Sequence, residues 1–162
     1  MTTLTRRYRF SASHRLHSAS LSEVENNRTY GKCNNPYGHG HDYVLYVAVS
    51  GEINATTGLI VKPALLDKLV AEEILSSFGH RNLNLDVAEF ERLVPTTENL
   101  TLVIAARLNA RWANYFPYSS ARLSSISILE TDRNSFEVVL PKKTSTPEPA
   151  AIEYSESVVV NA

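Results

Sequence analysis

The stretch GHGHDYVLYVAV, residues 38–49, combines the two features that decide how this chain is organised. From His41 to Val49 it is rich in Val and Tyr, the composition of a β-strand, and a strand is predicted there. At the start of this strand, His39 and His41 are two positions apart. Because side chains at positions i and i+2 of extended backbone point to the same side, both imidazoles could reach one ion.

A second strand is predicted over residues 4–14, where apolar and polar positions alternate. One face carries Leu4, Tyr8, Phe10, Ala12 and His14, with Arg6 as its single misfit. If the two strands lie side by side, His14 joins the histidine pair, and three imidazoles with an open fourth position are typical of a catalytic zinc site. The alternative is that His39 and His41 belong to a surface turn and His14 is a hydrogen-bonded core residue.

Residues 15–40 show no hydrophobic periodicity and are predicted to form a long loop, which in a compact domain is more often functional than idle. Cys33, the one cysteine of the chain, lies in this loop among polar neighbours. Three interpretations stay open: a small buried apolar residue, a fourth metal ligand, or a base or nucleophile. A role as base or nucleophile requires that Lys32 or a bound cation lowers the pKa of the Cys33 thiol.

Two helices and a hairpin follow. A helix is predicted from Pro63 to about Gly79, because apolar side chains recur at helical spacing and glycine favours a helix end. A second helix is predicted to begin near Thr96, and a hairpin to join residues 123–131 to residues 136–140. The order strand, strand, helix, helix, strand, strand predicts an α+β domain with both helices on one face of the sheet.

The composition bounds the kind of protein. The chain has 162 residues, 43% of them hydrophobic, which suits one domain at residues 1–140 and a Pro-, Ser-, Thr- and Glu-rich C-terminal extension at residues 141–162. Sixteen basic and 17 acidic residues argue against a broad nucleic-acid-binding surface. One cysteine excludes an internal disulfide framework, and no apolar run is long enough to cross a bilayer. We therefore expect a cytoplasmic protein without nucleic-acid or membrane partners.

Five segments, taken together and in order, carry a family resemblance. They are FSASHRL (10–16), GKCNNPYGHGHDY (31–43), HRNLNLDV (80–87), PTTEN (95–99) and ETD (130–132). On these motifs the chain strongly resembles the 6-pyruvoyltetrahydropterin synthase family over residues 6–140. The resemblance implies the tunnelling fold, a four-stranded antiparallel sheet with two helices on one face. It also implies that subunits join into β-barrels and form a homohexamer from two trimers.

The resemblance further implies a reaction and a metal. Enzymes of this family are lyases that convert 7,8-dihydroneopterin triphosphate to 6-pyruvoyltetrahydropterin with elimination of triphosphate. The Zn²⁺ ion is held by histidines that match His14, His39 and His41, and it acidifies a C–H of the substrate side chain. Cys33 matches the thiolate that takes this proton, and His80 matches the histidine that assists it.

Substrate-binding residues are implied in the same way. Glu130 matches the family's pterin anchor, a carboxylate that accepts hydrogen bonds from the pterin N3–H and 2-amino group. Thr96, Thr97 and Glu98 match a Thr-Thr-Glu segment of the family; capping of a helix N-terminus is the structural alternative for them. Lys32, Arg15 and Arg81 are candidate partners for the triphosphate.

One departure from the family pattern lies beside the implied site. Where the family carries an aspartate, this chain has Gly79, so the usual partner of the His80 imidazole is missing. Asp42 or Asp86 could replace that carboxylate. A second departure is the Lys-Pro pair at residues 62–63, where the family usually has a small acidic or amide residue.

Two alternatives to the synthase therefore stay open. One is a 6-carboxytetrahydropterin synthase of queuosine biosynthesis, which uses the same substrate and metal. The other is a zinc-containing pterin-binding protein with weak or altered activity. The five residues between Cys33 and His39 favour the 6-pyruvoyl enzyme, because the spacing is typically shorter in the 6-carboxy enzymes.

Overall fold

The two strands that carry the histidines pair along their full length. β1 (Thr2–His14) and β2 (His39–Gly51) run antiparallel in the computed structural model, which describes residues 1–141. Their register sets His14 directly opposite His39. Because opposed residues of an antiparallel pair project to the same face, the apolar faces of the two strands coincide and both histidines end on that face. The predicted C-terminal extension lies outside the described residues, apart from its first position.

Three further strands complete the sheet, whose order within the described residues is β3-β1-β2-β4-β5. They are β3 (Arg81–Asn82), β4 (Arg122–Thr131) and β5 (Asn134–Val139). Each of the four long strands is antiparallel to its neighbours among them, whereas β3 runs parallel to β1. The α+β class is confirmed, but the sheet has five strands rather than the expected four. β3 escapes sequence prediction because two residues are too few to show alternation.

Helical segments connect the strands. Within residues 1–141 they are α1 (Glu23–Tyr30), α2 (Pro63–Val70), α3 (Ser76–Phe78), α4 (Leu83–Asp86), α5 (Thr97–Tyr115) and two 3₁₀ turns, Gly31–Asn34 and Ala88–Glu91. A wider π-helical segment, Ala71–Leu75, joins α2 to α3 without a break, so the helix predicted from Pro63 to about Gly79 is confirmed. None of these helices has the length and apolar character that a membrane crossing requires.

The core lies where α2, α3 and α5 pack against the sheet. Its fully buried side chains include Leu66, Leu69, Ile74 and Phe78 from the first helical run, Leu100, Ile104 and Leu108 from α5, and Leu45, Ile126 and Ile128 from the sheet. Burial of these apolar surfaces is the main force that holds helices and sheet together. The same packing anchors the strand ends from which the polar site residues project.

The predicted loop of residues 15–40 contains α1 and the 3₁₀ turn Gly31–Asn34. Ser22 caps α1, and the Glu25 carboxylate in return accepts the Ser22 N–H. A search for apolar periodicity misses this helix because Asn26 is its one buried residue. The Ser-x-x-Glu capping pair is the sequence signal that indicates it.

Arg6, the misfit on the apolar face of β1, is paired with α2. Its guanidinium donates to both carboxylate oxygens of Asp67, at 2.7 and 2.8 Å, and the Tyr8 hydroxyl donates to the same carboxylate at 2.8 Å. The charge therefore lies at the half-exposed border of the core, where a bidentate partner compensates it.

Candidate metal centre and active site

Three imidazoles meet at the end of the β1–β2 pair. Ligand nitrogens of His14, His39 and His41 lie within 4.8 Å of one another, and Nε2 of His14 is 3.2 Å from Nε2 of His39. Tetrahedral zinc with Zn–N bonds of about 2.0–2.1 Å holds its nitrogen ligands roughly 3.4 Å apart. The strand register and the i, i+2 spacing thus bring together a donor set that fits a zinc ion.

The hydrogen bonds of His14 prepare it to be a ligand. Its ring is 1% exposed, and Nδ1 donates to the carbonyl oxygen of Pro95 at 2.7 Å. This bond leaves the lone pair of Nε2 directed at the other histidines, which is the usual way a metal-binding imidazole is oriented. Burial lowers the pKa of His14 and of His39, so both rings are neutral, as metal ligation requires, at neutral pH.

Gly38 allows the loop before β2 to approach β1 closely. Its φ is +68°, and a Cβ at this position would lie 2.7 Å from the carbonyl oxygen of His14. A glycine therefore fits here for two reasons, the left-handed backbone and the close contact. This close contact lets His39, the next residue, pair with His14 in the sheet.

A carboxylate lies beside the histidines at the end of β4. Glu130 Oε1 accepts a hydrogen bond from the Thr97 hydroxyl at 2.6 Å and lies 3.7 Å from Nε2 of His41. The Glu130 side chain is only 15% exposed. Thr97 belongs to the first turn of α5, so the structure brings the predicted residues Thr97, Glu130 and His41 together.

The other two residues of the Thr-Thr-Glu segment are placed differently. Thr96 is the N-cap of α5, and its hydroxyl accepts the Asn99 N–H at 3.3 Å. Glu98 is exposed in the first turn of α5, where a negative charge interacts favourably with the helix dipole. Both positions agree with the capping alternative.

Cys33 is half-buried in the 3₁₀ turn between α1 and β2. Within residues 1–141, the converging metal-ligand group consists of the three histidines alone, and Cys33 is not part of it. Burial and the charge of Glu130 raise the pKa of the thiol. Lys32, one of the two groups considered for lowering this pKa, is exposed and is not among the causes of the shift, which leaves a bound cation as the other group that could lower it.

His80 directly precedes β3, at the edge of the sheet. Its φ of +59° is unusual for a residue with a side chain, and its N–H donates to the Ser11 carbonyl oxygen at 2.7 Å. Two cavities, of about 540 and 460 Å³, share His80, Ser11 and Asp42 in their linings. Glu130 lines the first cavity and His41 lines the second.

Gly79 sits at a close contact within the turn before His80. A Cβ there would lie 2.6 Å from the carbonyl oxygen of Leu75, so an aspartate could not enter this backbone without moving it. Of the two candidate replacement carboxylates, Asp86 accepts the Asn82 N–H at 2.8 Å. Asp42 accepts the Ser11 hydroxyl and lines both cavities with His80. Of these two carboxylates, only Asp42 shares the cavities with His80.

Two groups near the cluster were missing from the sequence prediction. The carbonyl oxygen of Pro95 has no sequence signature as a partner of His14. Tyr43 is fully buried, and its hydroxyl lies 3.5 Å from Nδ1 of His14. Its position two residues after His41, on the same side of β2, is the signal that could have identified it.

The fold and the site together define a class, that of α+β enzymes in which histidines from paired strands could hold a metal ion. A carboxylate, that of Glu130, flanks the cluster, and its charge also acts on the thiol of Cys33. A profile of 6-pyruvoyl tetrahydropterin synthase matches residues 3–140. The chain belongs to the 6-pyruvoyl tetrahydropterin synthase family, a family of lyases, and the resemblance seen in the motifs is confirmed.

Individual relatives agree with this membership. The 6-pyruvoyl tetrahydrobiopterin synthase of Homo sapiens is 43% identical over 131 residues, which are 81% of this chain and 86% of the human protein. That of Poecilia reticulata is 44% identical over 131 residues, 81% of this chain and 85% of the fish protein. The solved structure of Caenorhabditis elegans 6-pyruvoyl tetrahydropterin synthase superposes with a TM-score of 0.79 at 38% identity, covering 86% of this chain and 96% of the nematode chain.

Proposed function

We propose that this chain is a zinc-dependent lyase that converts 7,8-dihydroneopterin triphosphate to 6-pyruvoyltetrahydropterin and releases triphosphate. The observation that carries the proposal is the cluster of His14, His39 and His41 with Glu130 beside it, whose charge also acts on the Cys33 thiol. It occurs in a chain that is 43% identical to the human 6-pyruvoyl tetrahydrobiopterin synthase.

Glu130 anchors the pterin ring in this proposal. Thr97 holds one carboxylate oxygen from the rigid first turn of α5, which fixes the orientation of the side chain. The remaining lone pairs of the carboxylate match the two adjacent donors of a pterin, N3–H and the 2-amino group. Thr97 therefore acts by orienting Glu130, whereas Thr96 and Glu98 stabilise the start of α5.

His14, His39 and His41 hold the zinc ion. A zinc ion held there would supply Lewis acidity, which would polarise the oxygens of the substrate side chain and acidify the C–H beside them. Cys33 accepts that proton as a thiolate and returns a proton later in the reaction; the charge of a bound ion would have to offset the raised pKa that the thiol has without metal. Triphosphate leaves with the electron pair of its C–O bond, while hydrogen moves from the side chain to the pyrazine ring. The two changes balance, so no external oxidant or reductant is required.

His80 is the second acid–base group in this proposal. It lines the cavity that also contains Glu130, and its backbone is bound to Ser11 of β1. We assign to Asp42 the role of orienting the His80 imidazole, which an aspartate at position 79 has in the family. The assignment is supported by the two cavities that Asp42 shares with His80 and by the close contact at Gly79.

We also propose how the molecule is organised beyond one site. Residues 1–140 form a single domain that works in the cytoplasm. Copies of the domain assemble into a homohexamer of two trimers, in which neighbouring sheets continue one another and close into β-barrels. The long strand β5 supports this, because within the described residues it has a neighbour on one side only.

Identification of the product tests the proposed function. The zinc-loaded protein is incubated with 7,8-dihydroneopterin triphosphate, and products are identified by mass spectrometry, with Cys33→Ala as control. We expect a 6-pyruvoyl product and free triphosphate from the unmodified protein, and neither from the variant. A 6-carboxy product would assign the chain to the alternative enzyme, and pterin binding without turnover would make it a binding protein. Either result overturns the proposal.

A further inference from the structure

Arg15 follows His14 directly, and its backbone is bound to the segment that carries His80. The Arg15 N–H donates to Oδ1 of Asn84 at 2.7 Å, and Nδ2 of Asn84 donates to the Arg15 carbonyl oxygen at 2.9 Å. Asn84 belongs to α4, four residues after His80. One amide side chain thus joins the end of β1 to the segment that begins at His80.

The side chain of Arg15 reaches in another direction, to the turn that carries Cys33. Its Nε donates to the carbonyl oxygen of Asn34 at 3.1 Å, and Nη2 donates to Oδ1 of the same residue at 3.3 Å. The next residue, Leu16, donates its N–H to the Cys33 carbonyl oxygen at 2.8 Å. Residues 15–16 therefore contact the Cys33 turn through three hydrogen bonds.

Asn34 is the buried centre of this cluster, with 3% exposure. Its Oδ1 also accepts from Nδ1 of His17 at 2.9 Å, and its Nδ2 donates to Asn27 of α1 at 2.7 Å. Asn34 is the one buried residue of the 3₁₀ turn, so no apolar side chain anchors this turn in the core. The position of the turn depends on the polar contacts of Asn34.

These contacts indicate a structural role for Arg15, whereas the sequence made it a candidate partner for the triphosphate. Two of its donor nitrogens point at Asn34, inside the protein. Arg81, in contrast, is exposed and lines the second cavity together with His41 and His80. An anion in that cavity would contact Arg81. Arg15 instead binds two segments of the protein, through Asn34 and Asn84.

We propose that Arg15 and Asn34 are positioning residues that fix the Cys33 thiol relative to the histidine cluster and to the segment of His80. The inference rests on the proposed function, because the thiol needs a fixed place only if it transfers a proton there. Neither residue touches the substrate. His17 belongs to the same set of contacts through its bond to Asn34.

Alkylation of Cys33 tests the positioning without any assay of turnover. Because the chain has one cysteine, the rate of its reaction with iodoacetamide reports on this turn alone. We expect Arg15→Ala and Asn34→Ala to raise the rate by about threefold or more, since a turn without its anchor opens more often. Arg7→Ala, which removes an exposed arginine from β1, the strand that precedes Arg15, is the matched control and leaves the rate unchanged.

Kinetics distinguish positioning from substrate binding. We expect Arg15→Ala and Asn34→Ala each to lower kcat by about 30- to 100-fold with little change in KM, since a small displacement of a catalytic group has effects of this size. Arg15→Lys keeps the charge but cannot reproduce the planar fork of donors, so it does not restore kcat. The double variant loses less than the product of the two single losses, because both substitutions break one contact.

Two outcomes overturn the proposal. One is unchanged alkylation in Arg15→Ala and Asn34→Ala. The other is a raised KM with normal kcat in Arg15→Ala that Arg15→Lys restores, which would make Arg15 a triphosphate ligand. Zinc content and circular dichroism establish that each variant folds, and Arg15→Lys replaces Arg15→Ala if the alanine variant does not. If the unmodified protein makes no 6-pyruvoyl product, the proposed function fails, while alkylation still decides whether the contacts position Cys33.

Discussion

At the scale of one residue, Gly38 and Gly58 allow two effects of glycine to be compared, its left-handed backbone and its close packing. Both have positive φ, +68° and +69°. A Cβ on Gly38 would lie 2.7 Å from the His14 carbonyl oxygen, whereas a Cβ on Gly58 would meet nothing within 4 Å. The two positions share a backbone conformation and differ in packing against the metal-binding strand.

Alanine at these two positions should therefore have different consequences. Each substitution costs about 1–2 kcal/mol for a side chain in left-handed backbone. Gly38→Ala must in addition move His39 away from His14, so we expect it to lower the zinc content as well as the free energy of unfolding. Zinc per chain and urea unfolding measure the two effects. Full zinc content in Gly38→Ala, with a stability loss equal to that of Gly58→Ala, would contradict the role given to Gly38.

Asp42 provides a second test at this scale. We expect Asp42→Asn to lower kcat by about 10- to 100-fold, the usual effect of removing the partner that orients a functional imidazole. Asp132→Asn is the matched control, because Asp132 shares only the first cavity with His80, whereas Asp42 shares both. Steady-state kinetics with both variants measure the difference. Equal losses of kcat in the two variants would show that Asp42 has no special relation to His80.

Single residues also show how far sequence reasoning reaches. The three histidines are predictable because strand alternation and i, i+2 spacing are geometric rules that hold before the fold is known. The Pro95 carbonyl oxygen that orients His14 is not predictable, because any residue offers the same backbone group. The close contact at Gly79 likewise depends on the path of the preceding helix, which its neighbours in sequence do not reveal.

At the scale of elements, burial decides which segments can be predicted. α2 and α5 each bury two leucines together with other aliphatic side chains, and this apolar stripe is visible as helical periodicity. α1 and β3 bury almost nothing apolar, so no period marks them. Their positions follow from polar contacts and from strand pairing with β1, which are properties of the folded chain.

A bidentate ion pair fastens α5 to the 3₁₀ turn Ala88–Glu91. Arg107 donates through Nε and Nη2 to the two carboxylate oxygens of Glu89, at 2.7 and 2.6 Å. The Arg107 guanidinium also lies 4.7 Å above the Phe78 ring. These hydrogen bonds lower the pKa of Glu89 below its ordinary value of 4.5. A carboxylate with a lowered pKa stabilises the fold above pH 4.5 and loses this effect as the pH falls through its folded-state pKa.

The pair should therefore make a pH-dependent contribution to stability. We expect Glu89→Gln to cost about 1 kcal/mol at pH 7, a modest value because both side chains are partly solvated, and much less near pH 3. Urea unfolding at the two pH values measures the difference. Glu91→Gln, an exposed neighbour, serves as control. An equal cost of Glu89→Gln at both pH values would contradict the assignment.

At the scale of the whole molecule, the open edge of the sheet is the feature with the largest consequence. β5 is six residues long and, within residues 1–141, pairs with β4 alone. An unpaired edge of this length is usually covered, because its free backbone groups would otherwise pair with other chains. Assembly itself depends on the fit between two surfaces, which no periodicity in one chain encodes.

Light scattering on a size-exclusion column tests the assembly. Six chains of 18.0 kDa give a particle of about 108 kDa, and we expect this mass over a broad range of concentrations. A trimer at low concentration would still agree with the proposal, in which each trimer forms one barrel and two barrels stack to form the hexamer. A monomer of 18.0 kDa at every concentration would contradict the assembly and require the edge of β5 to be protected in another way.

The central claim is that the three histidines hold zinc and that Cys33 transfers protons without binding the metal. It is tested most directly by measuring zinc content and turnover in the same samples of the unmodified protein, Cys33→Ala and His39→Ala. We expect Cys33→Ala to keep one zinc per chain and to lose turnover, and His39→Ala to lose both. Loss of zinc from Cys33→Ala would make Cys33 a metal ligand, and normal turnover in that variant would remove it from the chemistry. Either result contradicts the account.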